Sequence, residues 1–193
     1  SVFDTRPCSL GEGPLWHPLR GELFWFDINA HQLLSKTDIW QFDEFVSAAG
    51  WVNRDELLIA SESQLFRFQL GDHSQSKICD LEADNPVTRS NDGRCDPQGG
   101  FWIGTMGKKA EAKAGAIYRY YRGDLVQLFP EITIPNAICF APDGQTAYFT
   151  DTPLRQILAV DLDADGWPCS AARVAVDLTA TAENPDGAVV DAQ

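Results

Sequence analysis

The stretch that decides the fold is TRSNDGRCDPQGGFWIGTM, which runs from Thr88 to Met106. It opens with polar residues and a short strand, turns at Asp96–Gly100, and continues as an apolar strand over Phe101–Thr105. Proline presets φ and glycine accepts positive φ, so the sequence DPQGG suits a tight turn. The stretch therefore predicts a β-hairpin that begins with polar side chains.

The same unit recurs along the chain. Complete copies occupy residues 9–28, 46–62, 88–106 and 135–152, and a further copy begins at residue 184. Additional strands are predicted over Gln64–Leu70, Ala116–Tyr121, Gln156–Asp161 and Arg173–Leu178. Units of four strands that repeat about every 35–50 residues are typical of β-propeller blades. We therefore expect an all-β protein with about four blades and the start of a fifth.

Residues 1–193 are expected to form a single propeller domain that is incomplete at its C-terminus. An open arc of blades would leave two strand edges unpaired, which favours a chain that continues beyond the printed residues. The alternative, a protein of only 193 residues, would need a partner to close the ring. No helix is predicted, because the best candidate, Lys108–Ala114, lacks an apolar stripe and is typical of a loop.

One irregularity lies in the first repeat. Two apparent strands, Leu33–Thr37 and Asp38–Phe42, meet with no turn residues between them. A β-hairpin needs at least two residues in its loop. We hypothesise that a turn between Thr37 and Asp38 is missing from the sequence.

Composition excludes some classes of partner. The formal net charge of −13 argues against nucleic acid and anionic membrane surfaces, whose phosphates would be repelled. The five cysteines are odd in number and form no Cys-x-x-Cys pair, and Cys79 and Cys139 lie in apolar sequence. These features predict reduced, buried thiols and a cytoplasmic protein. No apolar run approaches the length of a membrane span.

Oxygen-bearing side chains occupy one position of the repeat. Counting six residues back from Pro18, Pro97, Pro142 and Ala192 reaches Glu12, Asn91, Asn136 and Asp186. In a propeller the starts of the innermost strands surround the axis at one face, so these residues are expected to converge. Carboxylate and amide oxygens suit Ca²⁺, Mg²⁺ or Mn²⁺, whereas Zn²⁺ more often recruits His or Cys. The alternative is that they only cap strands or make turn hydrogen bonds.

A second acidic pattern, DLDADG at residues 161–166, begins like an EF-hand loop. Its twelfth position is Ala172 rather than glutamate, and no helices are predicted beside it. The pattern therefore indicates an acidic turn on an outer hairpin.

Several linked motifs resemble one known family. They are GEGPLW at 11–16, RSNDG at 89–93 with GTM at 104–106, PN at 135–136 with DT at 151–152, and PDG at 185–187. Together they resemble the SMP-30/gluconolactonase/luciferin-regenerating family, also called regucalcin-like, over essentially the whole chain. The resemblance implies a six-bladed β-propeller with one divalent cation on its axis.

The resemblance also implies roles for individual residues. Glu12, Asn136 and Asp186 would be the metal ligands, Arg89 and Asn91 would contact substrate, and Asp186 would also act as general base. The implied activity is hydrolysis of sugar lactones such as gluconolactone, with Ca²⁺ as the expected cation and Mg²⁺, Mn²⁺ or Zn²⁺ as alternatives. The second hypothesis is a non-enzymatic propeller that binds calcium or sugar acids. The third hypothesis is a protein-binding scaffold, which needs no axial carboxylates.

The loop that follows the central motif departs from some relatives. Where certain animal members carry an acidic substrate contact just after Gly-Thr-Met, this chain has Lys108 and Lys109. The loop Gly107–Ala114 is expected to return to the metal face, where it can act as a lid. Substrate preference is therefore not transferred from those relatives.

Overall fold

The structure is a computed structural model that describes residues 2–191. The chain forms two compact units, the first ending at Pro86 and the second beginning at Val87. Each unit contains two four-stranded antiparallel sheets whose strands follow one another in chain order. A sheet of this kind is the blade of a β-propeller. The chain therefore contributes four blades, and the all-β prediction is confirmed.

The first unit contains blades 1 and 2. Blade 1 consists of β1 (Gly11–His17), β2 (Glu22–Asp27), β3 (Gln32–Ser35) and β4 (Ile39–Gln41). Blade 2 consists of β5 (Val46–Asn53), β6 (Glu56–Ser61), β7 (Gln64–Gln69) and β8 (Gln75–Asp80).

The second unit contains blades 3 and 4. Blade 3 consists of β9 (Thr88–Cys95), β10 (Phe101–Gly107), β11 (Gly115–Tyr121) and β12 (Asp124–Ile132). Blade 4 consists of β13 (Pro135–Phe140), β14 (Thr146–Asp151), β15 (Gln156–Asp161) and β16 (Arg173–Asp177).

Helical structure within residues 2–191 is limited to one 3₁₀ turn, Thr152–Leu154. The segment Lys108–Ala114 is a loop, as predicted. No helix in this part of the chain is long and apolar enough to cross a membrane. Residues 183–191, where the fifth copy begins, contain no strand, and the turn predicted near Ala192 lies outside the described residues.

The premise of the missing turn, that no turn residues lie between the two strands, is wrong, because the printed residues close the hairpin. Strand β3 ends at Ser35 and β4 begins at Ile39, so Lys36 and Thr37 form the turn rather than the end of a strand. The Ser35 amide donates to the Asp38 carbonyl at 3.0 Å. The Ser35 hydroxyl also accepts the Asp38 amide at 3.2 Å. A serine side chain thus supplies the turn that glycine or proline usually marks.

Each unit has its own aromatic core. In the first unit, Trp40 packs against Phe24 with ring centroids 5.8 Å apart and against Phe68 at 6.5 Å. In the second unit, Phe129 stacks on Phe149 at 4.4 Å. The second strands β6 and β10 are buried along their whole length, which accounts for the apolar runs at residues 57–60 and 101–103.

All five cysteines are free, as predicted, but only Cys139 is buried. Cys79 is half-buried although its sequence neighbours are apolar. It lies on β8, the outermost strand of blade 2, in which no residue is fully buried. Cys95 and Cys169 are exposed, so the prediction of buried thiols is wrong for most of the set.

A fully buried ion pair connects blade 3 to the last hairpin of blade 4. The Arg119 Nε donates to Asp96 Oδ2 at 2.7 Å, and both side chains have no exposed surface. The guanidinium lies 4.3 Å from the Tyr121 ring centre and 4.4 Å from that of Trp167, which favours the cation. Its Nη2 donates to the Asp165 carbonyl at 2.7 Å.

The DLDADG pattern is the turn that this pair holds. Asp163 Oδ1 accepts the amides of Asp165 at 3.0 Å and Trp167 at 2.9 Å. Its carboxylate therefore closes the turn, as the prediction of an acidic turn on an outer hairpin requires.

We predict that Asp96→Asn lowers the free energy of unfolding by about 3–5 kcal/mol, because it leaves the Arg119 charge buried without a counter-charge. The amide still accepts the Gly100 N–H, so the turn itself is preserved. Asp80→Asn removes the partner of Lys77 in an exposed pair and should cost at most about 1 kcal/mol. Denaturant unfolding measures the free energy of unfolding of both variants. Equal losses relative to the wild type would contradict the prediction.

Candidate metal and substrate site

The innermost strand of every blade carries an irregularity near its start. The pairing shifts by one residue between Glu12 and Leu15 in β1, between Val46 and Ala48 in β5, between Ser90 and Gly93 in β9, and between Asn136 and Cys139 in β13. Such a bulge bends the strand and re-aims its side chains. Glu12, Asn91 and Asn136 thus lie at equivalent positions of their blades, as the repeat spacing predicts.

The bulge in β1 requires a glycine after Glu12. Gly13 has a φ of +57°, and a Cβ at this position would overlap the Ser47 carbonyl oxygen. The equivalent bulge in β13 places Ala137 at a φ of +56°, where the side chain is small enough to be buried. Close packing of the β1 backbone against β5 therefore determines where Glu12 stands.

We predict that Gly13→Ala destabilises the fold more than Gly21→Ala. Both glycines have positive φ, so both substitutions carry the backbone cost of about 1–2 kcal/mol. Gly21 has no neighbouring atom within 4 Å of an added Cβ, whereas Gly13 faces a backbone oxygen. Denaturant unfolding of the two variants measures the additional loss of unfolding free energy caused by the overlap at Gly13. Similar losses in both variants would show that the Ser47 carbonyl imposes no constraint.

Aspartates at the end of the second strand hold the segments that lead into two of these bulges. Asp27 accepts the amides of Ser9 at 2.7 Å and Leu10 at 3.0 Å, just before β1. Asp151 accepts the amide of Ile134 at 2.8 Å, just before β13. In both copies the sequence signal is an apolar strand that closes on aspartate. These two carboxylates fix the lead-in segments through which the chain reaches Glu12 and Asn136.

In the second unit, a hydrogen-bond network joins three of the predicted site residues. Arg89 Nη1 donates to Asn91 Oδ1 at 2.9 Å. Asn91 Nδ2 donates to the Pro135 carbonyl at 2.9 Å and to Asn136 Oδ1 at 3.2 Å. Arg89 and Asn136 are each only 7% exposed to solvent. The structure therefore brings Arg89, Asn91 and Asn136 together.

The network continues towards the fourth predicted residue. Asn136 Nδ2 donates to Thr152 Oγ1 at 3.0 Å, and Thr152 Oγ1 donates to the Pro185 carbonyl at 3.0 Å. Pro185 is buried, and Asp186, the next residue, is exposed. Asp186 therefore projects from a segment without regular structure that is fastened beside Asn136.

Asp92 is a structural residue of the site that the sequence did not reveal. Its Oδ2 accepts the Ile138 amide at 2.8 Å, which clamps the bulge of β9 to that of β13. Burial raises the pKa of Asp92 above its ordinary value of 3.8, and the charge of Asp186 adds to this effect. The hydrogen bond from Ile138 opposes the shift.

We predict that the stability of the wild type relative to Asp92→Asn falls as the pH rises from below 4. The folded protein holds the Asp92 proton more tightly than the unfolded chain, so this contribution is complete below 3.8 and lost as the pH passes the raised pKa. Asp177, whose pKa is lowered by its hydrogen bond from Thr179, supplies a control of opposite sign.

Urea unfolding in EDTA at several pH values measures the difference in unfolding free energy between the wild type and each variant. For Asp177→Asn the advantage of the wild type should be present at neutral pH and lost as the pH falls. Parallel pH profiles of the wild type and Asp92→Asn would contradict the raised pKa.

The chemistry of the donors suits a hard cation. Asn136 Nδ2 is held by Thr152, so its Oδ1 is identified as the oxygen that a cation can contact. Within residues 2–191 no three His, Cys, Asp or Glu side chains gather as a metal cluster. The predicted ligands Glu12, Asn136 and Asp186 differ from such a cluster because they offer two carboxylates and an amide. Glu12 lies in the first unit, Asn136 and Asp186 lie in the second, and their role as ligands stays a prediction.

Comparison with known proteins identifies the family. Residues 10–193 match the family model described as SMP-30/Gluconolactonase/LRE-like region. The chain belongs to this family. A protein of Rhizobium meliloti named "Putative sugar lactone lactonase" is 40% identical over 198 residues, covering 99% of this chain and 67% of that protein. An L-arabinolactonase of Azospirillum brasilense is 34% identical over 202 residues, covering 98% and 66%.

A solved structure of the family gives the same fold. It is a calcium-binding protein, regucalcin, from Agrobacterium tumefaciens, which is 40% identical to this chain with a TM-score of 0.96. The match covers 99% of this chain and 67% of that one. The chain thus spans about two thirds of the length of the family members it matches. The resemblance drawn from the motifs is confirmed.

Proposed function

We propose that the protein is a divalent-metal-dependent hydrolase that opens sugar lactones. The observation that carries the proposal is the network from Arg89 through Asn91 and Asn136 to Thr152. It joins the side chains predicted to contact substrate to one predicted metal ligand. Two relatives named for lactone hydrolysis support the same reaction class.

The proposed roles follow from the donors that each side chain offers. Arg89 is a buried cation whose guanidinium is oriented by the Ser90 carbonyl at 2.7 Å and by Asn91. A planar guanidinium in a fixed orientation can donate to the hydroxyls and ring oxygen of a sugar lactone. Asn91 aligns Arg89 and Asn136 at once, so it sets the distance between substrate and cation.

Glu12, Asn136 and Asp186 would hold the cation, for which Ca²⁺ is the first candidate and Mg²⁺, Mn²⁺ and Zn²⁺ are alternatives. When bound, such a cation polarises the lactone carbonyl and stabilises the negative charge that develops on its oxygen. The Asp186 carboxylate accepts the proton of the attacking water. Its exposure allows water to reach it.

A second candidate function uses the same site without turnover. The Agrobacterium relative is described as a calcium-binding protein, so a propeller that binds calcium or a sugar acid is the alternative. Both functions require the oxygen ligands, and only hydrolysis requires a base. Turnover of a lactone therefore separates them.

We predict that the full-length protein hydrolyses at least one sugar lactone when Ca²⁺, Mg²⁺, Mn²⁺ or Zn²⁺ is added, and that Asp186→Asn lowers kcat by about 10²–10⁴-fold. Proton release in a pH-stat measures the rate. The panel should include neutral and anionic lactones, because Lys108 and Lys109 are exposed in the loop that follows β10.

Glu183→Gln is the matched control, since Glu183 is an exposed carboxylate in the same segment. It should retain the wild-type rate. Absence of turnover on every lactone with every cation, together with Ca²⁺ binding, would favour the calcium-binding alternative. An unchanged kcat in Asp186→Asn would remove the assigned base.

A further inference from the structure

Thr152 occupies the junction between two predicted metal ligands. Its hydroxyl contacts the amide of Asn136 and the carbonyl of Pro185, the residue before Asp186. We infer that Thr152 is a positioning residue that sets the orientation of Asn136 and the location of Asp186 at the same time. The inference rests on the proposed function, in which these two residues hold a cation.

The backbone of Thr152 is held tightly. Its amide donates to the Ile134 carbonyl at 3.0 Å, and the Ile134 amide donates to the neighbouring Asp151 carboxylate at 2.8 Å. Thr152 then begins the 3₁₀ turn Thr152–Leu154. The hydroxyl therefore projects from a rigid corner where β14 ends beside the start of β13, and its position does not depend on the segment around Pro185.

The direction of each hydrogen bond is determined by chemistry. The Pro185 carbonyl can only accept, so the single hydroxyl proton of Thr152 points to it. The lone pairs of Oγ1 must then accept from Asn136, which places the amide nitrogen of Asn136 on this side. Asn91 Nδ2 meets Asn136 Oδ1 on the other side and selects the same orientation. The oxygen of Asn136 is thereby the atom presented to a cation.

Loss of the hydroxyl would release both constraints. Without an acceptor at Thr152, the Asn136 amide is oriented only by Asn91 at 3.2 Å, and a rotated amide would present its N–H groups to the cation and repel it. The Pro185 carbonyl would also lose its donor, and the segment that carries Asp186 would be held by longer contacts. These are Arg94 Nη2 to the Ala188 carbonyl at 3.3 Å and Arg155 Nε to Asn184 Oδ1 at 3.2 Å.

The test compares Thr152→Val, which keeps the shape and removes the hydroxyl, with Thr152→Ser, which keeps the hydroxyl. Isothermal titration of EDTA-treated, full-length protein with Ca²⁺ gives the affinity independently of activity. Thr152→Val should weaken Ca²⁺ binding by about 10–100-fold, the usual effect of removing a group that orients a metal ligand. Thr152→Ser should bind Ca²⁺ close to the wild-type affinity.

Thr150→Val is the control for general loss of stability. Thr150 is fully buried on β14 as the cross-strand partner of Asn136, and its hydroxyl donates to the Gln156 carbonyl at 2.7 Å rather than to a predicted ligand. It should lose stability without losing Ca²⁺ affinity. If Thr152→Val does not fold, Thr152→Ala removes the same hydroxyl with less bulk and takes its place.

The outcomes separate this inference from the proposed function. Wild-type affinity in Thr152→Val, or an equal loss in Thr152→Ser, would overturn the positioning role. A wild type that binds Ca²⁺ but hydrolyses no lactone would overturn the hydrolase, while weaker binding in Thr152→Val alone would still support the positioning role. A wild type that binds no Ca²⁺ would overturn the inference in the form stated.

Discussion

The extra residue near the start of each innermost strand is the constraint on which the site depends. In a regular strand, successive side chains point to opposite faces of the sheet. The polar side chain near the start of the strand would then point to the face that this alternation gives it. The bulges interrupt it in β1, β5, β9 and β13. In β1 the interruption is possible only with glycine after Glu12, because the backbone of β5 lies against it.

Side-chain hydrogen bonds then connect the positions that lie in the second unit. Asp92 binds an amide of the neighbouring blade, Asn91 binds both a carbonyl and an amide oxygen, and Thr152 connects Asn136 to Pro185. Each group has a specific partner, and away from water such bonds are strong and costly to leave unmade. Several side chains therefore determine the orientation of Asn136, which a binding site for a cation requires.

Most of the strands were predictable from their apolar residues. The second strand of each copy is a clear apolar run, and β7, β11, β15 and β16 were placed within one or two residues. The outer strands β8 and β12 were missed, because β8 is mostly polar and β12 contains Pro130. The turn at Lys36 was missed because a serine side chain, rather than glycine or proline, closes it.

The sequence by itself determined the blade repeat and the common position of Glu12, Asn91 and Asn136, since both follow from local spacing to a turn. Only the tertiary structure decided which side chains meet. Asn91 and Asn136 are 45 residues apart, Asp92 and Ile138 are 46 apart, and Thr152 and Pro185 are 33 apart. No local pattern specifies such partners, because they depend on how one blade packs against the next and on the path of the chain after its last strand.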